Sequence, residues 1–265
     1  MIYIFSAIIL YIFVGLSLYL LQRKIIFNTS GRPQDPSLYG LESVKKIKIL
    51  TNDGISLLSW YFKGKGKTPL LVYFHGNSFD IGERAYRIKR YIDQNWAVLL
   101  VAWRGYSGNK GNPTEKNLYI DGEAAIKWII ENTNYQFKDL VIYGESLGSG
   151  IAVELGKKYE FASIVLEAPF TSVADIARQR YRIFPTKFLV KDKFNNLEKI
   201  NKLKSPLLII SGKKDEIVPH IHSQKLFNEA KVVKESVFID EAMHNNLYDF
   251  GIEKHVISFT LKVWK

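Results

Sequence analysis

The sequence predicts a doubly wound α/β domain with a mostly parallel sheet, preceded by one transmembrane helix. Three observations carry this prediction. Residues 2–21, IYIFSAIILYIFVGLSLYLL, hold no charged side chain, and about 20 apolar residues match the hydrocarbon thickness of a bilayer. Six short, nearly continuous apolar runs follow, the pattern of strands covered on both faces. Segments of helical periodicity separate them, and that alternation defines a doubly wound sheet. At 265 residues, with 47% hydrophobic and 24% charged side chains, the chain suits one such domain and excludes disordered, collagen-like and coiled-coil classes.

Taken in order, residues 1–22 read as an uncleaved anchor, since no Lys or Arg precedes the apolar run and no small-x-small cleavage site is evident. Arg23, Lys24 and Arg32 come after it, and the positive-inside rule then puts the following domain on the cytoplasmic side. A polar link over 23–43 leads to the domain at 44–265. Its first elements, VKKIKIL (44–50) and ISLLSWYF (55–62), flank a turn at Asn52, Asp53 and Gly54 and form a β-hairpin. The strands LLVYF (70–74), AVLLVA (97–102), LVIY (140–143), ASIVLEA (162–168), PLLIIS (206–211) and SVFID (236–240) come next. The helices between and after them are expected at Gly82–Gln94, Leu118–Glu131, Leu147–Lys158, Pro219–Ala230 and Asn246–Val263. A long stretch outside the alternation, about 171–204, reads as an insertion.

Gly144-Glu145-Ser146-Leu147-Gly148 matches G-x-S-x-G between a strand and a helix, the setting of a nucleophile elbow in the α/β-hydrolase fold. A serine hydroxyl is a weak nucleophile, so a base must take its proton and a third group must orient that base. In this fold the acid and then the histidine follow the serine along the chain. Of the five histidines, only His244 has both that order and a loop position after a late strand. Asp215 lies in the loop after PLLIIS, one strand before the histidine loop, and is preferred over Glu167 as the acid. The backbone N–H groups of Leu147 and of Asn77, in the loop after LLVYF, are the candidate oxyanion donors. Such a triad needs no metal and no cofactor, and the absence of cysteine excludes a Cys nucleophile or thiolate zinc site.

His75-Gly76-Asn77 with Gly82 and Arg84, Arg104-Gly105-Tyr106 with Gly111, Pro113 and Glu115, the GESLGSG elbow, and Asp215-Glu216-Ile217-Val218-Pro219 resemble the bud-emergence-46-like branch of the α/β-hydrolase superfamily. That branch includes N-terminally anchored serine hydrolases and is similar to lysophospholipid lipases and protein depalmitoylases. The resemblance implies activity on lipid esters or acyl thioesters. The sequence departs from the branch pattern where Ala102-Trp103 replaces an acidic-aromatic pair and where Ser107, Asn109 and Asn117 replace the usual Gly, Ser and Gly.

Within the insertion, Tyr181, Phe184, Phe188 and Leu189 are expected to form a lid lining an acyl-chain pocket. The chain carries a net charge of +11, and residues 170–204 hold nine Lys or Arg against three Asp or Glu. Beside an anchor, a basic lid is drawn to anionic headgroups. The expected partners are therefore the bilayer and a lipid-like or acyl ester or thioester substrate. Nucleic acid is not expected, because no ordered basic-aromatic groove is present. Two alternatives remain: a peptidase or arylesterase on soluble substrates, and a non-catalytic basic binding module on a hydrolase fold.

Overall fold

The structure, a computed structural model, describes residues 2–264. The apolar run forms α1 (Ile2–Ile26), in which only Gln22 is buried. The helix therefore runs four residues past the anticipated end at 22, and the link beyond it is tied down. Phe27 and Leu41 are buried, and a short 3₁₀ turn at Pro36–Tyr39 is capped by Asp35. The hairpin follows as β1 (Lys45–Leu50) and β2 (Ser56–Phe62), paired antiparallel.

The remaining elements are β3 (Leu70–Phe74), α2 (Ala85–Ile92), β4 (Ala97–Val101), α3 (Glu115–Asn132), β5 (Leu140–Glu145) and α4 (Gly148–Lys158). After them come β6 (Ser163–Glu167), α5 (Val173–Arg180), α6 (Thr186–Leu189), β7 (Leu207–Gly212), α7 (Ile221–Glu229), β8 (Lys234–Ile239) and α8 (Ile252–Val263). The eight strands form one sheet in the order β1-β2-β4-β3-β5-β6-β7-β8. All pairings from β4 to β8 are parallel.

Alternation within a single strand shows why these runs are apolar throughout. In β3, Leu70, Val72 and Phe74 face a core shared with α3, α4 and α7. Leu71 and Tyr73 of the same strand face the opposite core, shared with α2 and α8. Both faces of the sheet are thus covered, as parallel sheets require. The carboxyl ends of β3, β5, β6, β7 and β8 open on one edge, where ligand sites of such sheets gather.

The insertion over 171–204 divides into two parts. Val190, Phe194, Ile200 and Leu203 are buried, and Phe194 seats so closely on Gly150 that a Cβ there would lie 2.5 Å from its ring. Only the stretch carrying α5 and α6 projects, and it packs against α1. Tyr11 stacks on Phe184 at 4.8 Å, and its hydroxyl donates to the Ile183 carbonyl at 2.9 Å.

Candidate active site

Ser146 sits between β5 and α4 with φ +49°, a left-handed conformation that is strained for a non-glycine residue. Its neighbours have no room for side chains. A Cβ on Gly144 would lie 2.6 Å from the Gly148 carbonyl oxygen, and one on Gly148 would lie 2.1 Å from the Phe74 carbonyl oxygen. The glycine spacing therefore follows from backbone packed on backbone, and it leaves the serine above the sheet.

The loops after β7 and β8 bring two more side chains to the serine. His244 Nε2 lies 3.1 Å from Ser146 Oγ, and His244 Nδ1 lies 2.6 Å from Asp215 Oδ2. A carboxylate only accepts, so Nδ1 carries the proton and Nε2 offers its lone pair to the serine hydroxyl. Asp215 is itself fixed, since its other oxygen accepts the N–H groups of Ile217 at 2.9 Å and Val218 at 2.8 Å. Between the two loops, the Lys214 N–H donates to the Ala242 carbonyl.

The other histidines stand apart from Ser146. His220 Nδ1 meets Ser211 Oγ at 2.9 Å and His222 Nδ1 meets Thr171 Oγ1 at 2.8 Å, while His255 is exposed. Glu167, the competing acid, bonds instead to Tyr143 at 2.6 Å and Arg87 at 3.1 Å. His75 is buried between Trp103 and Tyr106. Burial, aided by Arg84, lowers its pKa to about 3, so it is neutral at ordinary pH and its Nδ1–H donates to the Gly76 carbonyl at 2.7 Å.

Asn77 and Leu147 line one pocket with Ser146, and among the described residues neither backbone N–H donates to a backbone acceptor. The Asn77 side chain is held from two sides, as its Oδ1 accepts the Tyr106 hydroxyl at 2.7 Å and the Asn28 N–H at 2.8 Å. The residues that depart from the branch pattern also support this region. Trp103 Nε1 donates to the His75 carbonyl at 3.3 Å, Ser107 Oγ accepts the Ile81 N–H, and Asn109 bridges β2 to the carbonyls of Ala102 and Trp103.

Beneath the serine lies a buried charge network that sequence reasoning did not assemble. Arg84 binds Glu145 through two nitrogens, at 3.1 and 2.7 Å, and donates to the Ser78 carbonyl at 2.7 Å. Arg87 joins Glu167 to the Asn245 carbonyl, and Tyr73 donates to Glu145 at 3.0 Å. Burial alone would raise the Glu145 carboxyl, but Arg84 and Arg87 outweigh it and hold it well below the usual carboxylate range. Glu167, by contrast, is raised by its burial. The two arginines thereby tie the Ser78 loop and the His244 loop to the ends of β5 and β6. A partial signal was present: Arg87 shares the i, i+1, i+4 positions of one face of α2 with the apolar Ile88 and Tyr91, and that face is buried, while Arg84 ends the 3₁₀ turn just before the helix.

Of the anticipated lid residues, Tyr181 lines the serine pocket, and Tyr181, Phe184 and Leu189 line a second cavity against α1. Phe188 does not belong to either: it is 81% exposed, because the single turn of α6 directs Leu189 inward and leaves its neighbour outside.

A serine in a strained strand-to-helix elbow, at the carboxyl edge of a doubly wound sheet and within reach of a carboxylate-held histidine, defines the α/β-hydrolase class. No family model matches the chain. It is 32% identical over 227 residues to an uncharacterized protein of Mycobacterium tuberculosis, covering 85% of this chain and 81% of that one. It is also 35% identical over 186 residues to human alpha/beta hydrolase domain-containing protein 17B, covering 68% of this chain and 62% of the human one. Among solved structures, esterase Pf2001 of Pyrococcus furiosus superposes with a TM-score of 0.71 at 22% identity, covering 89% of this chain and 97% of that one. An acetyl xylan esterase from Paenibacillus superposes with a TM-score of 0.67 at 17% identity, each chain 93% covered. The chain belongs to the α/β-hydrolase superfamily.

Proposed function

We propose that the protein is a membrane-anchored serine hydrolase that cleaves carboxylic ester or thioester bonds of lipid-like or acylated substrates. The observation that carries this reading is the continuous path from Ser146 Oγ through His244 to Asp215. His244 Nε2 takes the Oγ proton as Oγ attacks the acyl carbon, and the carbonyl electron pair moves onto oxygen. The Asn77 and Leu147 N–H groups stabilise that oxyanion. Collapse breaks the bond to the alcohol or thiol, which departs with the proton from His244. Water then attacks the acyl-enzyme, gives its proton to His244 and releases the acid, while Ser146 recovers its hydrogen.

Three facts support the finer parts of this reading. The superfamily relatives include proteins named as esterases. α1 is long and apolar enough to cross a membrane, and Ile25, Ile26, Phe170, Val173 and Ile176 make the serine pocket largely apolar. The test is hydrolysis of p-nitrophenyl and S-acyl esters by the full chain. Ser146→Ala is expected to lose at least a thousandfold in kcat, and undiminished turnover in that variant would overturn the reading.

A further inference from the structure

α1 is more than a tether in this fold, because it forms a wall of two adjoining cavities. One, about 90 Å³, lies between α1 and the lid, with Gly15, Leu18, Tyr19, Phe184 and Leu189 on its sides. The other, about 260 Å³, holds Ser146 and His244. They share Ile25, Ile26, Val173, Ala177 and Tyr181, so the two adjoin and the apolar lining continues from the serine pocket onto α1. From Gly15 to Ile26 it spans about 16 Å at 1.5 Å per residue.

The lining leaves little for a polar ligand. Apart from the phenols of Tyr19 and Tyr181, the polar side chains lining the α1–lid crevice are Gln22 and Thr186, and both are engaged. Gln22 Nε2 donates to the Tyr19 and Leu189 carbonyls and its Oε1 accepts the Lys191 N–H, while Thr186 Oγ1 donates to the Ala174 carbonyl. What remains is aliphatic and aromatic surface, which suits an alkyl chain.

Geometry also says how deep the lid sits. Tyr11 meets the lid, and residues 2–10 before it are exposed, about 13 Å of helix against a hydrocarbon core of about 30 Å. If α1 spans the bilayer, the tip of the lid enters the membrane. That tip presents Ile183, 72% exposed, and Phe188, 81% exposed. Exposed Arg182 and Lys187 flank them, with stems long enough to return their charges to the headgroups.

We propose that the crevice between α1 and the lid holds the acyl chain of the substrate, which reaches Ser146 from within the bilayer along α1. The inference rests on the reading of Ser146 as nucleophile and α1 as anchor. It assigns the anchor a binding role: α1 selects substrates with chains long enough to fill the crevice. The end of α1 reinforces this coupling, since the Asn28 N–H just beyond it holds the Asn77 side chain in the loop beside the serine.

The test uses the full chain in phosphatidylcholine nanodiscs and a hexadecyl fluorophosphonate carrying a diazirine at its far end. After reaction and photolysis, peptide mass spectrometry should find the phosphonate on Ser146 and photo-adducts on residues 15–22 of α1 and 181–189 of the lid. Adducts confined to other surfaces, with Ser146 modified, would overturn this inference alone. An unmodified Ser146 would overturn the proposed function as well. Leu18→Trp gives a second readout. By filling the crevice it should lower the palmitate-to-butyrate ratio of kcat/KM at least tenfold, whereas an unchanged ratio would contradict the assignment.

Discussion

Below Ser146, Arg84, Arg87, Glu145 and Glu167 bury four ionisable side chains among Tyr73, Tyr143 and Tyr248, joined by directional bonds. Above it, α1 meets α5 and α6 through aliphatic and aromatic side chains, with Tyr11, Gln22 and Arg23 as polar pins. The contrast follows from what each region must do. A proton relay tolerates little displacement, and hydrogen-bonded ion pairs fix loops in one geometry. Apolar packing is non-directional, so it suits the proposed role of this surface in receiving chains of different lengths.

The largest effects should come from breaking the relay itself. Asp215→Asn leaves the histidine in place but allows the wrong tautomer, and kcat should fall by about ten-thousandfold. Glu167→Gln should spare the chemistry far more. If kinetics show the reverse order, Glu167 rather than Asp215 is the acid.

Next in size is the network below. Glu145→Ala leaves Arg84 and Arg87 buried with less counter-charge, which costs about 3–5 kcal/mol in comparable cases. A large drop in the urea midpoint is expected. Glu145→Ala with wild-type stability would mean that the network is solvated and does not hold the elbow.

Acid should act on the same region. Glu145 and His75 both have folded values below their unfolded ones, and the latter lie near 4.3 and 6.5. At these two groups the unfolded chain binds more protons between about pH 6.5 and 3, so their contribution to stability falls as pH falls, while Glu167, raised by its burial, opposes part of the loss at the acid end. The melting temperature should hold above pH 7 and decline below 6.5, with His75→Asn flattening the upper part of that slope. A melting temperature flat down to pH 4 would break the contrast.

The smallest effect belongs to the apolar side. Tyr11→Phe removes one hydroxyl contact to Ile183 and keeps the ring stack, and should cost about 1 kcal/mol or less. A larger loss would show that the lid depends on polar pins after all.

The strands were legible because both faces of each are buried, which makes the runs continuously apolar and bounds them sharply; β3 was read to the residue. For edge strand β8 the apolar run predicts 236–240, whereas the strand spans Lys234–Ile239, two residues earlier at its start and one at its end, since its residues are only partly buried. The convergence of Ser146, Asp215 and His244 was legible through chain order and strand ends. The pairing of Arg84 with Glu145 and of Arg87 with Glu167 was not, because a charged side chain usually marks a solvated face and these partners lie 61 and 80 residues apart in the chain. The crevice was equally hidden, since the packing of α1 on a lid some 170 residues away leaves no local pattern in the sequence.

The central claim is that Ser146 is the activated nucleophile. Intact-protein and peptide mass spectrometry after treatment with a small fluorophosphonate tests it most directly. One adduct, on Ser146, that disappears in Ser146→Ala and slows sharply in His244→Ala is the predicted result. No adduct, or one that persists on Ser149 or elsewhere in Ser146→Ala, would contradict it.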